Sequence, residues 1–255
     1  MDKVVASAAD AVADIPAGAS LAVGGFGLCG IPTVLIRALL AQGADRLHVV
    51  SNNCGVDGAG LGLLLEGNRI SRVIASYVGE NKGFARQFLS GELEVELTPQ
   101  GTLAERLRAG GAGIGAFFTP TGVGTQVAEG GLPWKYAKDG SVAVASPAKE
   151  VRIFGNRHMV LEEGIVTDYA LVRAAKADRQ GNVVFHASAR NFNPPAAMAG
   201  RITIVEAEEV VELGVLTPDE IHLPGVFVQR VVALTAAQAA DKSIEKRTVA
   251  PQGAL

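Results

Sequence analysis

Val23-Gly24-Gly25-Phe26-Gly27-Leu28-Cys29-Gly30-Ile31-Pro32 sits between an apolar run, Ala19 to Val23, and a helix-like run, Thr33 to Leu40. These ten residues hold four glycines and a proline. Glycine reaches positive φ at little steric cost and lets a backbone approach a ligand closely. Pro32 suits the first turn of a helix, where a missing N–H costs nothing. Strand, glycine loop and helix start, in that order, make the opening unit of an α/β fold. They also predict unpaired N–H groups at the positive end of a helix dipole. The stretch therefore reads as a place for an anion or a polarised carbonyl.

The alternation continues outward from this unit. Before it, residues 3 to 13 read as a short helix closed by Pro16-Ala17-Gly18, and Leu21 to Val23 is a strand. After it, Pro32 to Gln42 is a helix stopped by Gly43. Leu47 to Val50, Arg72 to Val78, Val95 to Thr98 and Ala116 to Thr119 are further strands, with helices near 82–90 and 102–109. Strands alternating with helices predict an α/β fold: an open, mainly parallel sheet with helices on both faces. Ligands bind such sheets at the carboxyl ends of the strands. The loops there are Gly24 to Gly30, Ser51 to Gly55, Gly79 to Asn81, Thr98 to Gly101 and Thr119 to Thr125.

From about residue 140 the pattern shifts to additional mixed strands: Val142 to Ala145, Val151 to Phe154 and His158 to Glu162, with Gly155-Asn156 as a hairpin turn. Tyr169 to Ala175 and Val183 to His186 form a strand pair across Asp178 to Gly181; Ile202 to Val205 and Val226 to Val232 follow. No linker rich in Pro, Gly or Ser interrupts the chain, so residues 1–235 are expected to form a single domain. Residues 236–255 read as a charged tail, disordered at its end.

Composition narrows the function classes. The chain has 255 residues, 48% of them hydrophobic, and its net charge is −3. Its mean hydropathy of +0.26, with no apolar run long enough to cross a bilayer, implies surface covered by partners rather than by a membrane. No basic stripe invites nucleic acid. Asp2 and Asp10 break any signal-peptide pattern, and Cys29 and Cys54 lack framework spacing; both features point to a reducing cytoplasm. His48, His158, His186 and His222 are scattered, and no cluster has metal-ligand spacing, so no metal is expected.

Gly25-Phe26-Gly27-Leu28-Cys29-Gly30 matches the dinucleotide fingerprint G-x-G-x-x-G, so an NAD(P)-binding dehydrogenase is one reading. That fingerprint needs a carboxylate at the end of the second strand for the ribose, and Ser51-Asn52-Asn53 supplies none. Asn52, Asn53 and Gln100 are either turn residues or N–H donors to a substrate carbonyl. Cys29, near a helix start, is either a favoured thiolate or a small buried apolar residue. Glu80 lies in a loop after a strand, where it is a surface residue or a base. Glu92, Glu94 and Glu96 alternate as on a solvated edge strand, and Glu162-Glu163 and Glu208-Glu209 read as surface pairs.

Taken in order, Gly24-Gly25-Phe26-Gly27-Leu28-Cys29-Gly30-Ile31-Pro32, Ser51-Asn52-Asn53, Ser76 to Asn81, Gly91 to Arg106, Thr119-Pro120-Thr121-Gly122 and Ser188 to Asn193 resemble the A (alpha) subunit of the family I coenzyme A transferases. The resemblance spans roughly residues 3 to 232. Leu28-Cys29 and the Gly-Glu-Leu-Glu-Val-Glu-Leu run are most similar to the succinyl-CoA:3-oxoacid members, with the 3-oxoadipate enzymes close by. The resemblance implies the CoA-transferase-like form of the open sheet. It implies CoA transfer from succinyl-CoA to a 3-oxo acid such as acetoacetate, with coenzyme A as substrate and no other cofactor. It implies that the nucleophilic glutamate belongs to a B (beta) subunit, usually in an A2B2 assembly, and that this chain by itself is inactive or nearly so. Gln100, Asn52 and Asn53 then support the acyl group and its oxyanion, and Gly24, Gly25, Phe26, Gly27 and Gly30 shape the substrate-binding loop. Glu80, although in a Gly-Glu-Asn context, is not assigned as the nucleophile.

Overall fold

The computed structural model describes residues 1–242. Strand β1 (Val4–Val5), helix α1 (Ala8–Val12), β2 (Ser20–Val23), α2 (Thr33–Gln42) and β3 (Leu47–Val50) open the chain. Then come α3 (Gly62–Glu66), β4 (Ile70–Ala75), α4 (Lys82–Leu89), β5 (Glu94–Leu97) and α5 (Gln100–Gly111). A smaller region follows: β6 (Ala116–Thr119), α6 (Gln126–Glu129), β7 (Pro133–Tyr136), β8 (Val142–Ala145), β9 (Val151–Phe154) and β10 (Arg157–Glu163). The chain then returns through β11 (Thr167–Asp178), β12 (Val183–Val184), α7 (Asn193–Ala199), β13 (Gly200–Val211), β14 (Arg230–Ala233) and α8 (Ala236–Ala240).

Eight strands lie side by side in the order β1-β14-β13-β11-β2-β3-β4-β5, all neighbours parallel, and β12 adds an antiparallel partner to β11. Side chains alternate across this sheet as the pleat requires. Leu21, Val23 and Val49 join Leu35, Leu39, Leu64 and Phe84 in one core layer. Ala22 and Val50 join Leu103, Leu107, Ala196 and Ala197 in the other. Burial on both faces explains why the central strands read as near-continuous apolar runs. The connections reverse direction between β2 and β11, and the loops after β2, β3, β4 and β5 meet beside that switch point.

The mainly parallel sheet and the mixed strands agree with the sequence reading; several boundaries do not. The expected helix over residues 3 to 13 is divided, because Val4 and Val5 pair with Val231 and Val232 of β14 before the helix begins. Ser7 caps α1 by accepting the Asp10 N–H at 3.1 Å. Ser7→Ala is expected to lower stability by about 1 kcal/mol, read from the urea midpoint; an unchanged midpoint would show that the cap contributes nothing. Ala116 to Thr119 is a strand, but in a separate three-stranded antiparallel sheet, β6-β10-β9. Gly155-Asn156 does form the two-residue turn between β9 and β10. The last strand starts at Arg230, after a 3-10 turn over Gly225–Phe227. Of the tail, α8 packs back onto the sheet, where Arg173 donates to the carbonyls of Gln238 and Ala239 at 3.4 and 3.1 Å. The expected disorder of its end concerns residues outside the described ones. No helix among the described residues is long and apolar enough to cross a membrane.

The alternating glutamates are not a solvated face. Glu96 is buried, held between Arg72 at 3.0 Å and Arg106 at 2.6 Å. Glu162 is buried as well, 2.6 Å from Lys149 and 3.8 Å from Arg106. This chain of charges fastens the β6-β10-β9 sheet to β5 and α5. Arg72 also reaches Glu94 at 3.2 Å and lies 5.7 Å from the Trp134 ring centroid. Glu208 is half-buried between Arg173 and Lys242, whereas Glu209 is exposed, as expected of it.

Candidate active site

The loops after β2, β3, β4 and β5 enclose a cavity of about 330 Å³. Its wall brings together Phe26, Gly27, Asn52, Asn53, Ser76, Tyr77, Glu80 and Gln100. Asn52 follows β3, and its buried Oδ1 accepts from Gln100 Nε2 at 2.7 Å and Ser76 Oγ at 2.8 Å. Two donors on one oxygen fix which end of the Asn52 amide is which. The Asn52 Nδ2 group is left facing Asn53 Oδ1 at 3.4 Å, and Gln100 keeps a second N–H hydrogen. Asn53 Oδ1 also accepts the Gly27 N–H at 3.0 Å, which joins the glycine loop to the amide cluster. Gln100 stands in the first turn of α5, whose N-terminus has no side-chain cap. The cluster thus offers neutral N–H donors beside a positive helix end, the arrangement that stabilises a developing oxyanion. Among the lining residues only Glu80 is charged.

The glycine loop does not present an open anion site. The N–H of Leu35 donates to Glu206 Oε2 at 2.9 Å, and that of Val34 bonds the same carboxylate. Glu206 reaches the start of α2 from β13 and has no exposed surface. The anion expected at this helix is therefore the protein's own side chain, and a dinucleotide pyrophosphate has no room there. Gly25 and Gly27 do take positive φ, 105° and 61°. Only the Phe26 and Gly27 part of the loop borders the cavity; Gly24, Gly25 and Gly30 pack behind it, and a Cβ on Gly24 would meet Asn193 Oδ1 at 2.0 Å.

Burial pushes the Glu206 carboxyl up to about 7, against a partial offset from the Leu35 N–H and from Arg173, whose guanidinium is 3.6 Å away. The folded protein then holds this proton more tightly than the unfolded chain does. The associated stability is complete below the ordinary value of 4.5 and is lost as pH rises through about 7. The full loss is about 3 kcal/mol. Glu206→Gln should flatten that part of the profile, measured by urea unfolding between pH 4 and 8. Parallel wild-type and variant profiles would contradict it.

Most of the remaining candidates fall outside the cavity or serve structure. Cys54 is buried and its thiol is pushed up to about 12, which makes it inert. Cys29 is half-buried rather than fully buried, with Sγ 3.7 Å from Ser188 Oγ. Glu80 borders the cavity and is exposed, at φ 61°. Its neighbour Asn81 caps α4 through the Phe84 N–H at 2.8 Å and ties that loop to the Cys54 carbonyl at 2.9 Å. Ser76 and Tyr77 are signalled in the sequence only by their place after a strand; Gly79 leaves room for the Tyr77 ring, since a Cβ there would lie 2.3 Å from its hydroxyl.

Comparison with known proteins agrees with this architecture. The family model described as Coenzyme A transferase matches residues 5–234. The chain is 65% identical over 249 residues to the A subunit of a probable succinyl-CoA:3-ketoacid coenzyme A transferase of Mycobacterium tuberculosis, covering 98% of this chain and 99% of that one. It is 53% identical over 247 residues to the mitochondrial succinyl-CoA:3-ketoacid coenzyme A transferase 2 of Homo sapiens, covering 97% of this chain and 47% of the human one. The crystal structure of an acyl-CoA transferase from Escherichia coli O157:H7 superposes with a TM-score of 0.76 at 24% identity, over 91% of this chain and 47% of that one. With a family model over nearly its whole length and relatives well above half identical, the chain belongs to the coenzyme A transferase family.

Proposed function

We propose that this chain is the A subunit of an enzyme that moves CoA from succinyl-CoA to a 3-oxo acid, acetoacetate first among them. Its partner is a B subunit that supplies the attacking glutamate. The glutamate oxygen adds to the thioester carbonyl, the CoA thiolate leaves, and an acyl-glutamyl anhydride results. The thiolate then attacks the glutamyl carbonyl and releases succinate, leaving a glutamyl-CoA thioester. Acetoacetate reverses the two steps and departs as acetoacetyl-CoA, in a ping-pong cycle. Each addition places negative charge on a carbonyl oxygen. Gln100 and Asn52 are this chain's donors to that oxygen, and the loop at Phe26 and Gly27 bounds the acyl group.

The observation that carries this reading is the pair of oriented amides, Asn52 and Gln100, 2.7 Å apart in a cavity at the sheet's switch point. The printed name of the Mycobacterium tuberculosis relative, at 65% identity end to end, supports the substrate pair. Half-length coverage of the human relative supports a second subunit of similar size. Co-expression with a candidate B subunit, followed by assay with succinyl-CoA, tests it. The expected product with acetoacetate is acetoacetyl-CoA; preferential turnover of 3-oxoadipate would move the acceptor, and no turnover with any 3-oxo acid would overturn the proposal.

A further inference from the structure

Asn193 has no exposed surface and uses its whole amide on the glycine loop and its supports. Its Nδ2 donates to the carbonyls of Gly30 at 2.9 Å and Ala189 at 2.8 Å. Its Oδ1 accepts the Arg173 N–H of the central strand β11 at 3.1 Å. The same side chain fills the space beside both ends of the loop: a Cβ would lie 2.0 Å from its oxygen at Gly24 and 2.9 Å from its nitrogen at Gly30. Pro194 and Pro195 follow it in the first turn of α7, where their fixed φ stiffens its own backbone. Asn191 adds a parallel bond, donating to the Cys29 carbonyl at 3.1 Å and the Ser188 carbonyl at 2.8 Å. Between these anchored ends, the loop's tip meets the cavity through Gly27 N–H and Asn53 Oδ1.

We propose that Asn193 is a positioning residue for CoA transfer: it clamps both ends of the glycine loop to β11 and so sets where Phe26 and Gly27 meet the acyl group and the Asn52–Gln100 amides. The inference rests on the proposed function for its catalytic consequence, but the clamp itself is a property of this chain. A carboxylate cannot donate to two carbonyls, so Asp is as damaging here as Ala. Loop misplacement of about 1 Å can cost about 10²-fold in rate.

The test uses the assembled enzyme with Asn193→Asp and Asn193→Ala, and a control, Val231→Ala, a buried core position on β14 away from the loop. Hydrogen exchange of the 24–30 peptide and steady-state kinetics are both read. The expected result is faster exchange confined to that loop and to its contacts at 51–53, and kcat down about 10²-fold with KM for the acyl-CoA little changed. The control is expected to lower Tm while keeping kcat. Should the Asn193 variants fail to assemble, the half-buried Asn191→Ala gives the same pattern at smaller size. Unchanged loop exchange in both positions, or a kcat loss equal to the control's, overturns the proposal. A wild-type complex without transferase activity refutes the proposed function instead, and the exchange readout still decides the clamp.

Discussion

Gln100→Ala in the assembled enzyme is expected to lower kcat by about 10²–10³, the usual loss when one oxyanion donor is removed. The Gln100 amide is exposed at the first turn of α5 and bonds Asn52 Oδ1 at 2.7 Å. Its removal deletes one N–H aimed at the reacting oxygen and loosens the orientation of another. Because the side chain is exposed, the folded chain should keep its stability to within about 0.5 kcal/mol. Asn52 retains Ser76 as a partner at 2.8 Å, so its amide is not set free entirely. Gln100→Glu is expected to be no better. A carboxylate accepts hydrogen bonds and cannot donate to Asn52 Oδ1 or to an oxyanion. Measuring kcat and KM separately decides the point: a loss confined to KM would make Gln100 a binding residue rather than a stabiliser of the tetrahedral state.

The second large effect is on stability. Arg106→Ala strands Glu96 and Glu162, which are only 6% and 2% exposed. It also removes the Arg106 Nε–H that bonds the Glu163 carbonyl at 2.9 Å. Breaking a buried pair from one side costs about 3–5 kcal/mol, because the remaining charge is left without compensation. Two carboxylates are affected here, though Arg72 and Lys149 each keep one of them partly paired. Arg106→Lys should recover little, since a single ammonium cannot reach Glu96 and the Glu163 carbonyl in the guanidinium's fork geometry. The exposed pair Arg108–Glu105, on the same helix, is the contrast. Arg108→Ala should cost less than about 1 kcal/mol. Urea unfolding of the two variants side by side measures the difference, and equal losses would refute the distinction between them.

How much of this is legible in the sequence depends on how local each feature is. The β2–glycine loop–α2 unit and the Gly155-Asn156 hairpin are encoded within a few residues, and they appear where the pattern places them. Asn52, Asn53 and Gln100 are legible as loop residues at strand ends, and the parallel order of β3, β4 and β5 is what brings them together. The occupant of the α2 N-terminus is not legible. Glu206 lies 171 positions beyond Leu35, on a strand whose burial on both faces leaves no alternation to mark an inward carboxylate. The same reason hides Glu96 and Glu162. Their alternation looks like a solvated edge until a second sheet is laid across it, and the placement of that sheet is set by long-range ion pairs. Ala116 to Thr119 carries a strand's composition, but nothing within it says which sheet it joins. Helix α7 is hidden by Pro194-Pro195, which read as a break and act as a first turn.

Glu206 also changes the meaning of the opening motif. A glycine loop before a helix suggests an external anion, yet the helix end is already satisfied from within. What the loop offers the cavity is shape, through Phe26 and Gly27, while the donors come from the two loops beyond it. A cavity with oriented amides and no assigned nucleophile of its own is half of a transfer site.

Intact masses of both polypeptides, taken from the assembled enzyme briefly exposed to succinyl-CoA, test that division most directly. The expected result is a CoA adduct, with loss of water, on the partner polypeptide only, localised to one glutamate and discharged by acetoacetate. An adduct on this chain, at Glu80 above all, would contradict it.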